Sequence, residues 1–138
     1  MNTFTYENLK ISHTESFTQI IGVHHLNTFV DITQDTNPIH TDIKYATERG
    51  FEDRVVHGML TASFYSTLVG VYLPGKYCFL QECNASFHYP VYIGDTLTIE
   101  GRIMELNEVL NRITISAKIT NQHNKRVSKA TIYVGILI

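Results

Sequence analysis

Val55-Val56-His57-Gly58-Met59-Leu60-Thr61-Ala62-Ser63-Phe64-Tyr65-Ser66-Thr67-Leu68-Val69-Gly70-Val71-Tyr72-Leu73-Pro74-Gly75 contains no Asp, Glu, Lys or Arg. A run of this length approaches the ~20 residues needed to cross a bilayer. Yet it carries His57, Thr61, Ser63, Ser66 and Thr67. A helix that is apolar nearly all round is also what the centre of a soluble core requires. The pattern predicts a helix from about His57 to Leu73, stopped by Leu73-Pro74-Gly75, inside a core and not in a membrane.

That core needs a cover, and the second half of the chain supplies one. Leu97, Ile99 and Ile103 alternate with Thr96, Thr98, Glu100 and Arg102. Ile113, Ile115, Ala117 and Ile119 repeat the alternation, and so do Ala130, Ile132, Val134 and Ile136. A period of two with one wet face predicts half-buried antiparallel strands. Gly94-Asp95, Asn107 to Asn111 and Asn121 to Lys125 mark the turns. Tyr77 to Tyr89 reads as a further, longer strand.

Before the uncharged run, one or two short strands lead into helices. Leu26, Phe29, Val30 and Thr33 recur at helical spacing, which predicts a helix from about Val23 to Gln34. It breaks at Asp35-Thr36-Asn37-Pro38, because the residue before a proline avoids helical angles. Thr41 and Asp42 can cap a short second helix, with Gly50 as its stop. The class is α+β, and no repeat or linker divides the 138 residues, so one domain is expected.

Composition narrows the function. A formal net charge of -2 gives no basic surface of the kind nucleic acid selects. Two cysteines, Cys78 and Cys83, are too few for a disulfide scaffold and match no zinc spacing. The first ten residues lack the apolar core of a signal peptide. A reducing cytoplasm is the expected compartment.

The most chemically loaded segment is Asp35-Thr36-Asn37-Pro38-Ile39-His40. A carboxylate and an imidazole can share a proton transfer if both reach one water, and an amide such as Asn37 can fix that water or the carboxylate. Spacing alone leaves a plain turn open as well, since Asp, Asn and Pro are also turn formers. His57-Gly58 opens the uncharged helix. Its first N–H groups lack internal partners and carry partial positive charge, suited to a developing oxyanion. Tight packing of the helix end is the alternative reading of Gly58.

Together these segments resemble a known family. Asp35 to His40, then Phe51, Val56-His57-Gly58-Met59-Leu60, Leu73-Pro74-Gly75, Phe87-His88-Tyr89-Pro90-Val91 and Gly94-Asp95-Thr96 are similar, in that order, to the MaoC-like hydratases. The nearest branch is the (R)-specific enoyl-CoA hydratases. The likeness runs from about Ser16 to the C-terminus. It implies a hot-dog fold, a curved antiparallel sheet wrapped around a long central helix, normally as a homodimer. It implies reversible syn hydration of trans-2-enoyl thioesters to (R)-3-hydroxyacyl thioesters, on an acyl-CoA or acyl-carrier-protein substrate. By position, Asp35 and His40 become the catalytic pair, Asn37 supports the water and the Gly58 N–H polarises the thioester carbonyl. No metal or redox cofactor is implied, nor any nucleic-acid or membrane partner.

Leu68 and Tyr72 on the central helix, with Tyr65, are candidates to line the acyl pocket, with core packing the competing reading. Ser63 is a candidate to face the acyl chain or the carbonyl, with a hydroxyl bonded to its own helix the competing reading. His57 is expected to make a structural hydrogen bond, because a buried polar group must be satisfied. His24 and His25, adjacent on a helix, should point different ways. His13, His88 and His123 read as surface residues, Arg54 and Lys76 as solvated, and both cysteines as buried thiols. Three alternatives accompany the hydratase. The first is a 3-hydroxyacyl-[acyl-carrier-protein] dehydratase. The second is a hot-dog thioesterase, which the lack of an acidic residue between Val55 and Gly75 opposes. The third is a non-catalytic acyl-thioester-binding module, which the intact Asp35 and His40 oppose.

Overall fold

A computed structural model describes residues 1–137 of the chain. The three alternating segments become β3 (Thr96–Asn107), β4 (Arg112–Thr120) and β5 (Arg126–Ile136). Each pairs antiparallel with the next. Two further strands, β1 (Thr14–Ile20) and β2 (Cys78–Phe87), close the flanks, and the sheet order is β1-β3-β4-β5-β2. Leu97, Ile99, Ile103, Ile113, Ile115 and Ile119 are fully buried, as their alternation requires. A bulge between Ile103 and Glu105 carries β3 past the point where the strict alternation ends.

Four α-helices lie between β1 and β2 in the chain among the described residues. They are α1 (Val23–Thr33), α2 (Pro38–Thr41), α3 (Ile43–Glu48) and α4 (Gly58–Thr67). The α2 turn was not visible in the spacing. It forms because Pro38 suits a first helical position and the Asn37 side chain accepts the Ile39 N–H. Asp42 caps α3 through the Tyr45 N–H, and Gly50 follows it at φ 90°, as the turn signals predict. The expected long helix is α4 followed by a wide π-type turn, Leu68–Tyr72, which the Leu73 N–H closes on the Leu68 carbonyl five residues back.

The sheet receives this helix along a trough of small side chains. Gly101, Ala117, Ala130 and Ala85 lie side by side across β3, β4, β5 and β2. A Cβ built on Gly101 would sit 2.8 Å from Leu68 Cδ2 and 3.1 Å from Ile115 Cγ2. The glycine is thus the space into which Leu68 packs. At the other side Tyr65 donates its hydroxyl to Ser128 Oγ at 2.9 Å, tying α4 to β5. Burial pushes this phenol up to about 12, so it stays a donor at any working pH. Residues 2–4 lie along the far end, with Asn2 N–H on the Val71 carbonyl and Phe4 N–H on that of Pro74.

Several single-residue expectations change. Cys83 is exposed and Cys78 only half-buried, because β2 is an edge strand. His13 is half-buried, edge-on to Phe4 and paired with Glu15 at 3.1 Å. The His24 and His25 rings lie 3.9 Å apart, since His25 turns back to accept the Gly22 N–H.

Filling the trough should destabilise the fold. Gly101→Val forces a branched side chain against Leu68 and Ile115, and such overpacking costs about 1–3 kcal/mol. Urea denaturation measures it, and an unchanged midpoint would contradict this account of the packing.

Candidate active site

Helix α1 ends with Gln34 in the left-handed region at φ 60°. The next residues bond to themselves. Thr33 Oγ1 accepts the Asp35 N–H, Asp35 Oδ1 accepts the Asn37 N–H, and Asn37 Oδ1 accepts the Ile39 N–H. Such short-range bonds are why Asp and Asn shape turns. Here they also aim the Asp35 carboxylate. Asn37 uses its side-chain carbonyl and its backbone N–H in this way, so its observed part is to hold Asp35 and to start α2.

His40 lies in α2, and its Nδ1–H donates to the Val55 carbonyl at 2.6 Å. A carbonyl only accepts, so Nδ1 carries the proton and Nε2 is the nitrogen left to exchange one. The same segment returns the bond, with Val55 N–H on the Ile39 carbonyl, while Val56 N–H reaches the Val91 carbonyl. The strand-like lead into α4 therefore holds the imidazole from one side and the chain after β2 from the other.

His57 precedes α4 and is only 2% exposed. Its Nε2–H donates to the Asp35 backbone carbonyl at 3.1 Å. Its ring lies against that of His40, with centroids 3.8 Å apart and planes 25° apart, and against Phe29 at 4.9 Å. Burial, with His40 adding to it, holds His57 below the usual histidine range against the opposing pull of Asp35. Asp35, His40 and His57 each place a carboxylate oxygen or ring nitrogen within 4.8 Å of the others. One water-sized species can therefore bridge the Asp35 carboxylate and an imidazole nitrogen of the group.

A cleft of about 350 Å³ opens at this point, walled by His40, Phe51, Val55, Gly58, Thr61 and Phe87 among others. Gly58 is the first residue of α4, so its N–H has no partner within the helix. The cleft thus brings His40 beside a free helix-start donor on mainly apolar walls, and Asp35 stands behind it, a carboxylate oxygen within 4.8 Å of a His40 ring nitrogen. Thr61 also lines it, 2% exposed, with no hydrogen-bond partner for its hydroxyl among the described residues. Sequence reasoning passed over Thr61, although its place three residues after Gly58 puts both on one helix face.

The helix candidates divide. Ser63 lines a neighbouring cavity of about 400 Å³ with Met59, Ala62, Tyr65 and Leu80, and its hydroxyl donates to the Leu60 carbonyl. Phe87 borders both cavities. Leu68 and Tyr72 line neither. Leu68 is fully buried on the sheet, and Tyr72 stacks on Phe17 with centroids 4.8 Å apart and planes at 3°. The wide turn is the cause. On a regular helix residues four apart share a face, and the π-type turn rotates Tyr72 off the Leu68 stripe.

Known proteins resemble this chain in sequence and in fold. The family model described as MaoC like domain matches residues 8–126. An (R)-specific enoyl-CoA hydratase from Aeromonas caviae is 33% identical over 84% of this chain and 87% of its own length. A mitochondrial 3-hydroxyacyl-[acyl-carrier-protein] dehydratase from Arabidopsis thaliana is 31% identical over 86% of this chain and 72% of its own. The solved (R)-hydratase of A. caviae superposes with a TM-score of 0.90 at 30% identity, covering 94% of this chain and 98% of that one. An unliganded R-hydratase from Pseudomonas aeruginosa reaches a TM-score of 0.92 at 27% identity, covering 98% of this chain and 86% of that one. The strand-wrapped helix is the hot-dog fold of these hydratases, and the chain belongs to the MaoC-like domain family.

Proposed function

We propose that the protein is an (R)-specific hydratase of trans-2-enoyl thioesters, adding water reversibly to give the (R)-3-hydroxyacyl thioester. The observation that carries this reading is that His40 and the start of α4 at Gly58 share one cleft, with an Asp35 carboxylate oxygen within 4.8 Å of a His40 ring nitrogen. Water between Asp35 and His40 gives its oxygen to C3. One of its protons passes to the pair, and the pair delivers a proton to C2 on the same face. Atoms and charge balance without a cofactor. Asp35 acts mainly as base and His40 as partner or proton donor. The proton taken from water crosses the pair to the vacant His40 Nε2, which then gives it to C2, so the two work as one coupled pair. As C3 is attacked, negative charge moves to the thioester oxygen. The Gly58 N–H, at the positive end of α4, stabilises it there.

The carrier is CoA in the first reading and an acyl-carrier protein in the second. Relatives of both kinds match at 33% and 31% identity. A thioesterase is opposed by α4 and its π-type turn, which hold no acidic residue. A non-catalytic module would have no need to hold a carboxylate within 4.8 Å of an imidazole nitrogen beside a cleft.

The working unit in this reading is a homodimer. Strand β2 is an edge of the sheet, and Met59, Phe79, Leu80, Phe87 and Tyr89 lie exposed on or beside it. An apolar edge left open invites pairing. A second copy meeting β2 would cover Phe87 and Leu80 and so enclose the two cavities they border.

Purified protein should consume crotonyl-CoA, followed by loss of absorbance at the enoyl band. No loss over a ladder of chain lengths, with acyl-carrier-protein substrates run alongside, would sink the hydratase reading. Asp35→Asn and His40→Ala should each slow turnover by at least ~10²-fold while remaining folded. A near-normal rate in either variant removes the role given to that residue.

Gly58→Pro isolates the helix-start donor. Proline is well suited to a first helical position, and His57 at ψ 132° already has the extended backbone that precedes a proline. The variant should fold and lose about 10²–10³-fold in kcat. A folded variant with unaltered kcat would show that the amide does not bind the oxyanion. The dimer is tested by Leu80→Asp, expected to sediment as a monomer in analytical ultracentrifugation where the parent sediments as a dimer. Identical sedimentation of the two would place any interface elsewhere.

A further inference from the structure

The proposed reaction uses one of the two stacked imidazoles and leaves the other, buried and bonded, without a task. We propose that His57 is a positioning residue: its neutral ring, protonated on Nε2, hangs the Asp35 loop from the start of α4 and backs the catalytic imidazole. The inference rests on the acid–imidazole reading of Asp35 and His40.

Asp35 is exposed, and its loop is otherwise held by bonds among its own neighbours and by the α2 turn. The Nε2–H bond from His57 to the Asp35 carbonyl spans 22 residues of sequence and joins that loop to the buried helix start. Its donor sits one residue before Gly58. The carboxylate and the oxyanion donor are thereby set relative to each other by adjacent residues of a single rigid element. Reacting groups must be held to within a fraction of an ångström, and a displacement of about 1 Å can cost ~10²-fold in rate.

The tautomer follows from the partner. The Asp35 carbonyl can only accept, so His57 Nε2 carries a proton. Nδ1 is buried with no hydrogen-bond partner among the described residues, and a second proton there would bury an unpaired charged N–H, so the ring is neutral with Nδ1 unprotonated. His40 is the reverse, with Nδ1–H on the Val55 carbonyl and Nε2 free. Two backbone carbonyls thus select opposite tautomers in rings 3.8 Å apart. The groups packed on His57 are His40 from α2, the uncharged Phe29 ring from α1 and Asp35 from the loop between them. Of these, His40 and Asp35 titrate. A charge on His57 would stand face to face with His40 whenever the latter holds a proton. Burial keeps that charge off.

Three measurements test the assignment. His57→Leu removes the donor at similar volume and should lower kcat by about 10²-fold with little change in KM. His57→Gln, which keeps a side-chain N–H and cannot ionise, should restore most of that loss. A folded Leu variant with parental kcat, or a Gln variant as slow as Leu, would overturn the assignment. The third needs no turnover. Nitrogen-15 spectra of the imidazoles should show His57 as the neutral Nε2–H tautomer from about pH 6 to 8, and the neutral form of His40 as Nδ1–H. A His57 that titrates near the ordinary ~6.5, or carries its proton on Nδ1, defeats the proposal even if the variants fail to fold. If the protein hydrates no enoyl thioester, the hydratase reading falls, while the spectra still decide how His57 is held.

Discussion

The bond from His40 Nδ1–H to the Val55 carbonyl, 2.6 Å long, is the contact on which the site depends. It determines which nitrogen can exchange a proton, and it fixes the ring beside the start of α4. Without it the imidazole would be a half-exposed side chain on a four-residue helix, an element too short to hold itself. The bond is short-reaching but well supported. Val55 N–H answers on the Ile39 carbonyl, and the next residue is tied to Val91. The turn that carries His40 therefore has borrowed rigidity, taken from the helix start and the chain beyond β2.

That rigidity comes in turn from the core. Leu68 fills the place that Gly101 leaves empty, and Tyr65 reaches Ser128 across the interface. A buried leucine contributes on the order of 1.5–3 kcal/mol, and the small-residue trough lets the helix come close enough to collect it. The absence of charge between Val55 and Gly75 is explained by the same geometry. The strands cover the helix on one side, and the loops carrying the site lie over its start.

Much of this was legible in the residues. Alternation such as Leu97, Ile99, Ile103 states which strand face is dry, and a proline after Asn37 states where α1 must yield. The acid–imidazole segment and the glycine after His57 announce their chemistry through residue type. What was not legible depends on geometry that spacing does not encode. Tyr72 leaves the Leu68 stripe because a wide turn intervenes, and nothing in Leu68-Val69-Gly70-Val71-Tyr72 signals one more strongly than a regular turn with a glycine. Cys83 looks like a core thiol until the sheet order makes β2 an edge. His25 reaches back to Gly22, a local bond that overrides the outward direction adjacent helix residues normally take. Thr61 is read as one more polar residue on an apolar helix until the cleft opens beside it.

The placing of two histidines with opposite tautomers explains why neither can be exchanged for the other. His40 lines the cleft with its Nδ1–H committed to the Val55 carbonyl, and moving that proton to Nε2 would leave Nδ1 facing a carbonyl lone pair. His57 is buried, so protonation is disfavoured there, and its single N–H is committed to the Asp35 carbonyl. A carbonyl is a better selector than a carboxylate for this purpose. It accepts a proton-bearing nitrogen without adding a charge that would raise the ring's basicity. The site therefore separates two demands that conflict in one imidazole. One ring keeps a nitrogen free to exchange a proton, and the other is buried with its single N–H committed to the loop that carries Asp35.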